Sequence, residues 1–380
     1  MNNKSKKRIF ASLVCALLCF VAPLGFSSCG EGDGELAGIT ITQTVVAPSY
    51  DISTVPIYKE FANVAKPAYL VPGLKEGLIP QGMDVWEEKE LLFISGYFKP
   101  NINTSGSPSS MLVAVDLKTG KLAGKYCIKK EDGTYYTGHN GGIAITEKNI
   151  FIASGGLGRI PLSQIETLGE EGTLQIVESI KIPVGTSWLN YSDGVLWVGD
   201  FYAAGTYPTP QWRHMTNDDG TTYGGGGVGY KVKDTESEFS SENWDPKTMS
   251  VARPDYYLAI PDSVQGFTFI GDQIVLSSVQ GDEGSNILVY DNVLKNEIDA
   301  KTDLNGTNTA NPVPVWFLDD GVLVKDYTAI PMSEGVTSYK GKLLVLFESG
   351  AAYYQDFIPQ ISTDHVWSVA LPEKEGGADT

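Results

Sequence analysis

Residues 265–281 read Gln-Gly-Phe-Thr-Phe-Ile-Gly-Asp-Gln-Ile-Val-Leu-Ser-Ser-Val-Gln-Gly. A polar-plus-small pair opens an alternating run, Gly271-Asp272 turns it, and a more apolar run closes on serines. Alternation followed by a short polar turn and a second run is the pattern of a β-hairpin. The same pattern recurs from Gln81-Gly82 (QGMDVWEEKELLFISGY), Gly141-Gly142 (GGIAITEKNIFIASGG), Ser187-Trp188 (SWLNYSDGVLWVGDF) and Glu334-Gly335 (EGVTSYKGKLLVLFESG). Ile-Pro pairs precede four of the five: Ile79-Pro80, Ile182-Pro183, Ile260-Pro261 and Ile330-Pro331. A proline there ends the preceding connection without removing a ladder donor from a central strand.

Outward from each hairpin lies a further pair of strands. In the first repeat Met111–Leu117 alternates, Lys118-Thr119-Gly120-Lys121 turns and Leu122–Ile128 returns; in the fourth, Asn286–Tyr290 is the corresponding third strand. Repeated four-stranded antiparallel units are the signature of propeller blades. The expected fold is therefore all-β, a single propeller of five four-stranded blades over 39–380, with six or seven blades left open because Asp291–Asp326 has room for a degenerate unit. Ile39–Val46 is expected to supply an outer strand, Val366–Leu371 to close the ring, and Pro161–Leu168 to form a short helix.

The composition agrees with this architecture. Charged residues make up 19% and hydrophobic ones 42%, which excludes a disordered chain, a coiled coil or a multi-span membrane protein. The net charge of −18 excludes nucleic acid and anionic lipid as partners, whose phosphates such a surface repels.

The N-terminus reads as an address. Lys4, Lys6, Lys7 and Arg8 precede an apolar stretch from Ile9 to Phe26, and Leu24-Gly25-Phe26-Ser27-Ser28 leads to Cys29. This resembles the lipobox of bacterial lipoproteins, and the acidic run Gly30-Glu31-Gly32-Asp33-Gly34-Glu35 resembles its Bacteroidota version. The resemblance implies a signal peptide over 1–28, lipidation of Cys29, a flexible tether over 29–38, and an anchor in the outer membrane, at the cell surface or on its periplasmic face. Removing 1–28 takes away four basic and no acidic residues, so the net charge falls from −18 to −22. Cys15, Cys19 and Cys29 belong to this segment, which leaves Cys127 as a lone structural thiol.

In a propeller the starts of the innermost strands and the ends of the second strands gather on one face. The starts are Gln81, His139-Asn140, Ser187-Trp188, Gln265 and Glu334. The ends carry Tyr97-Phe98, Asp200-Phe201-Tyr202, Gln280-Gly281-Asp282-Glu283 and Glu348, with Tyr353-Tyr354 beyond. The longest loop, Phe201–Gly227, contains Tyr207, Trp212, Arg213, His214 and Tyr223, and either covers the mouth as a flap or packs its aromatics on the rim.

Aromatic faces beside amides, carboxylates and an arginine suit an oligosaccharide, a peptide or a protein segment. The expected ligand-binding set is Gln81, Tyr97, Asn140, Trp188, Asp200, Tyr202, Trp212, Arg213, Gln265 and Glu348. Acidic residues near the channel are expected to repel anionic ligands.

Glu334 and His139 are the candidate catalytic groups, Glu334 as a general acid raised by burial near Glu348. The structural alternatives are a blade-linking carboxyl and a histidine packed on the next blade. Three dispersed histidines and no paired cysteines predict no metal, and Asn217-Asp218-Asp219-Gly220 reads as a turn. The glycine strings Gly155–Gly158 and Gly224–Gly229 lack the Lys-Ser/Thr and helix of a phosphate loop, so no cofactor is predicted.

The first blade also resembles the five-bladed propellers of plant-type glutaminyl cyclotransferases. The matching residues are Gln81-Gly82-Met83, Gly96-Tyr97, Ser109-Ser110 and Val115-Asp116-Leu117-Lys118-Thr119-Gly120-Lys121. The resemblance implies the fold. The family's carboxylates are missing at Phe93-Ile94-Ser95-Gly96 and Asn140-Gly141-Gly142-Ile143, so it carries no cyclase chemistry over. The function expected is ligand binding by a lipid-anchored propeller, the alternative being a glycan-cleaving or group-transfer enzyme using Glu334 and His139.

Overall fold

The computed structural model describes residues 40–47, 50–99, 109–279, 284–304, 312–355 and 361–371. The signal segment 1–28, Cys29, the tether 29–38 and the loop 280–283 lie outside the described residues. Among the described residues no helix is long and apolar enough to cross a membrane.

Five antiparallel sheets follow one another along the chain, each starting from one of the five repeats. Blade 1 runs Leu78–Trp86, Leu91–Phe98, Met111–Asp116 and Leu122–Lys129, with Glu171–Gln175 added in parallel at its edge. Blade 2 is Ile143–Ile145, Asn149–Ala153, Leu157–Pro161 and Glu178–Ile180. Blade 3 is Trp188–Ser192, Val195–Gly199, Gly225–Lys231 and Tyr256–Ile260. Blade 4 is Val264–Ile270, Gln273–Val279, Ser285–Asp291 and Leu323–Ala329. Blade 5 takes Ser333–Tyr339, Lys342–Phe347 and His365–Val369 from the C-terminal region, and its outer strand, Ala65–Leu70, from the N-terminal region.

The innermost strands close a ring. Blade 1 packs on blade 2, blade 2 on 3, 3 on 4, 4 on 5, and blade 5 back on blade 1. The repeats' small second residue makes this possible. A Cβ on Gly335 would stand 2.8 Å from the Met83 amide nitrogen, and one on Gly82 2.7 Å from the Gly142 Cα. Neighbouring backbones meet there with no room for a side chain.

The apolar core is divided accordingly into five clusters, one for each seam between blades. Trp86, Phe93 and Tyr126 meet Ile143 and Ile150 between blades 1 and 2; Trp188 and Trp197 meet Phe267 and Leu276 between blades 3 and 4. Met83 and Ile94 meet Leu344 and Val366 across the closing seam.

Three of the four Ile-Pro pairs fall on the passages from an outer strand to the next innermost one, Ile260-Pro261 between Tyr256–Ile260 and Val264–Ile270 being one, whereas Ile79-Pro80 lies within Leu78–Trp86, opposite Tyr97 and Gly96. On the opposite face, Asp193-Gly194 and Lys340-Gly341 are two-residue turns with positive φ at both positions, the turn type whose twist matches paired strands.

Three expectations are corrected. The described part of Ile39–Val46 forms no strand. Its edge bonding is done by side chains: Gln43 Nε2 donates to Leu70 O and Gly120 O, and Gln43 Oε1 accepts from Leu122 N. The described part of the Asp291–Asp326 stretch holds no blade, since Val313–Phe317 pairs in parallel with Tyr256–Ile260 and extends blade 3 outward with Ala300–Thr302. The loop read as Phe201–Gly227 ends earlier, because Gly225–Lys231 is the third strand of blade 3. The predicted helix is present as Ser163–Leu168.

Candidate functional site

Four blades bring their polar residues to one mouth. Gln81, at the bulged start of blade 1's innermost strand, donates from Nε2 to Glu348 Oε2 at 2.9 Å, and Tyr354 OH donates to the same oxygen at 3.2 Å. Gln265 of blade 4 donates to Glu334 Oε1 at 3.2 Å. The two glutamates of blade 5 hydrogen-bond each other, and each is 2% exposed.

Burial raises both carboxyls, and the Glu348 charge raises Glu334 further, well above the usual range. Glu334 therefore keeps its proton and donates it, while Glu348, relieved by Tyr354, Gln81 and Lys99, stands at about 7. The pair carries at most one negative charge near neutrality. The expected anion-repelling channel is weakened by that shared proton.

Tyr97 and His139 bridge blades 1 and 2, with ring centroids 4.1 Å apart. His139 reaches solvent but is hemmed in by protein, and that desolvation, with the Lys99 charge, lowers its pKa to about 4. It is neutral at physiological pH and ill suited to general acid–base work there. Lys99, two residues beyond Tyr97, sets its ammonium 4.0 Å from the centroid of the Tyr353 ring.

Asn140 stands beside them in left-handed backbone, φ 53°, with its carbonyl accepting from Ser95 Oγ at 2.9 Å. Its side chain is 1% exposed, and neither Oδ1 nor Nδ2 has a partner among the described residues.

Blade 3 carries a separate polar group. Arg213 Nη1 donates to both oxygens of Asp200, at 2.7 and 2.8 Å, and Asp200 also accepts from the Gly185 amide. Burial raises Asp200 against the lowering effect of Arg213. Tyr257 OH donates to Arg213 O, and the Arg213 guanidinium lies 5.4 Å from the centroid of the Trp212 ring. Trp212 and Tyr223 pack on the core between blades 2 and 3, and Tyr202 sets its ring edge-to-face with His214. Trp212 and Tyr223 of the long loop thus pack on the propeller, while Phe201 with Tyr207 and Tyr202 with His214 pair within the loop. Asn217–Gly220 is the turn of a small hairpin joining Met215–Thr216 to Thr222–Tyr223.

Trp188 is not at the surface. It is 1% exposed and stacks on Phe267 at 4.7 Å, so it offers no platform to a ligand. Cys127 is buried, and burial raises its thiol.

Two features escaped the sequence reading. Lys99 is the sole basic residue directly after a second strand in any of the five repeats, a signal available in the sequence. Below the mouth, Asp84 accepts from Ile145 N at 2.7 Å, Val85 N at 2.8 Å and Thr337 Oγ1 at 2.9 Å. Burial lifts it to about 6. Asn190 Nδ2 donates to Thr268 Oγ1 at 3.2 Å. Asp84 thus ties blades 1, 2 and 5 together, and Asn190 with Thr268 ties blades 3 and 4.

The fold and site define a five-bladed propeller whose mouth pairs a proton-sharing carboxyl couple with an unmet amide. No family model matches the sequence, and no curated protein matches it. Among solved structures the chain is similar to BamB from Moraxella catarrhalis, at 11% identity over 76% of this chain and 84% of that one, TM-score 0.32. It is similar also to a chain of a nidogen/laminin complex, at 10% identity over 71% and 73%, TM-score 0.33. A third is the Cps50 (Swd1) β-propeller domain of Myceliophteria thermophila, at 8% identity over 78% and 97%, TM-score 0.35. The blade count and the site stand on this chain's own strand pairing, and no role is carried over from these proteins.

Proposed function

We propose that the chain is an exported, lipid-anchored propeller that captures a polar ligand (an oligosaccharide, a peptide or a segment of a protein) at this mouth. Asn140 carries the reading. A buried amide without hydrogen bonds costs about 1–3 kcal/mol for each unmet group, a cost that a ligand supplying a donor and an acceptor recovers. Its neighbours differ: the oxygens of Glu334 and Glu348 have protein partners in Gln265, Gln81, Tyr354 and each other. The basic and apolar N-terminal run ending at Cys29 supports export and anchoring.

Glycan, peptide and protein arrays probed with the chain from Gly30 onward test the proposal. Asn140→Gly tolerates the left-handed backbone and removes only the amide. It is expected to weaken capture tenfold or more while leaving the thermal midpoint within a few degrees. Unchanged capture would refute the reading.

The proton-sharing carboxyls favour a second reading, an enzyme for glycan cleavage or group transfer in which Glu334 is the general acid. Glu334→Gln keeps a donor toward Glu348 and removes the transferable proton. Under the second reading turnover of a captured ligand disappears in this variant while affinity stays within about threefold. Under the first there is no turnover in the parent chain to lose.

A further inference from the structure

Lys99, placed at the mouth, is among the many described basic residues that form no ion pair. The sequence holds 28 basic residues against 46 acidic ones, so cations have a surplus of carboxylates to choose from. Lys89, Lys118, Lys125, Lys148, Lys325 and Lys340 each sit within ion-pairing distance of one. Lys99 has none among the described residues, and its ammonium lies over the Tyr353 ring instead. The carboxyls of the mouth, Glu334 and Glu348, are hydrogen-bonded by Gln265, Gln81, Tyr354 and each other, and the Lys99 charge favours ionised Glu348 without an ion pair to it. The Lys99 charge acts on His139, which packs on Tyr97, and Asn140 with its unmet amide follows His139 in the chain.

We propose that the ligand captured at the mouth carries a carboxylate, received by the Lys99 ammonium and by the Asn140 Nδ2 donor, with His139 alongside. This rests on the binding reading and narrows it.

One ammonium and neutral amide donors match a single negative charge. A phosphate dianion would leave a charge uncompensated beside the Glu334–Glu348 couple. The approach of an anion is otherwise opposed by a net charge of −18, so a cation at the mouth that has no ion pair among the described residues discriminates by position. Two sources share this chemistry: a sugar acid and the free end of a peptide.

Calorimetry on the full chain in detergent, at pH 7, decides with four probes: digalacturonate and its methyl ester, N-acetyl-dialanine and its amide. At least one acid should bind tenfold or more tighter than its blocked form, and which acid does so identifies the source. Lys99→Met should bring that acid down to the level of the blocked form, while Lys99→Arg stays within about threefold of the parent.

Equal binding of acid and blocked forms, or an unchanged affinity in Lys99→Met, overturns the inference. Should neither acid bind while the arrays still show Asn140-dependent capture of neutral ligands, the carboxylate inference alone fails. Absence of capture from every array and every probe refutes the binding reading with it. Circular dichroism melts of both variants exclude loss of fold as the cause.

Discussion

Truncating Trp188 to alanine should lower the stability of the propeller by about 3–5 kcal/mol, the range for emptying the site of a large buried aromatic. The indole spans two strands of its own blade. A Cβ on Gly199 would lie 1.9 Å from its Cζ2, and one on Gly227 2.6 Å from its Cη2. The glycines are thus the floor on which the ring rests, and Phe267 of the next blade is its lid, stacked at 14°. Its Nε1 donates to Asp200 O at 3.2 Å. Nothing small can refill that space, because the floor has no side chains to move in. Chemical denaturation of the variant checks this. A loss below 1 kcal/mol would mean that the seam between blades 3 and 4 is not packed as described. Any fall in ligand capture should track the fraction unfolded and not a lost stacking platform.

Asp84→Ala is expected to cost at least about 3 kcal/mol at pH 4, since it orphans the buried donors of Val85, Ile145 and Thr337 at about 1–3 kcal/mol each. The cost should shrink as pH rises. The folded-state pKa of about 6 lies above the unfolded value near 3.9, so the native state binds the proton more tightly. That stabilisation is complete below the unfolded value and is lost as pH rises through 6. The parent protein should therefore give up about 2 kcal/mol between pH 4 and pH 7 that the alanine variant never had. Urea melts of both proteins across that range measure the closing gap. A gap that stays constant or widens contradicts the burial of Asp84 at the junction of blades 1, 2 and 5.

What the sequence discloses and what it hides follow from how far apart the interacting residues lie. The hairpin Gln265–Ser278 is legible because alternation, turn and second strand fall within a dozen or so residues. The passage residues Ile260-Pro261 are legible for the same reason. The outer strand of blade 5 is not. Ala65–Leu70 is a short run with a lysine and a proline, made a strand only by its pairing with His365–Val369, some 300 positions away. The glycine-rich opening of Gly225–Lys231 reads as a loop, as far as Gly227, because glycine weakens isolated strands. In the folded blade those glycines make room for Trp188, Tyr257 and Trp197, a reason supplied wholly by tertiary packing.

The site divides the same way. Asn140, Gln81, Gln265, Glu334 and Glu348 can be placed on one face from strand order alone, and the structure brings them to one mouth. Whether such residues are satisfied is beyond strand order: the glutamates find partners from three blades, and Asn140 finds none. Asp84 is hidden because its partners Ile145 and Thr337 lie 61 and 253 positions distant. Trp188 misleads because an aromatic at a strand start looks the same whether it faces a ligand or a neighbouring blade.

The central claim is that one mouth, built from blades 1, 2, 4 and 5, holds the ligand. Amide hydrogen exchange of the full chain, with and without the tightest array binder, tests it directly. Slowed exchange should concentrate at residues 81–83, 139–143 and 347–351, which meet only if the ring closes. Protection centred instead on the turns at Glu87–Glu90, Asp193-Gly194, Gly271-Asp272 and Lys340-Gly341 would place binding on the opposite face and contradict the account.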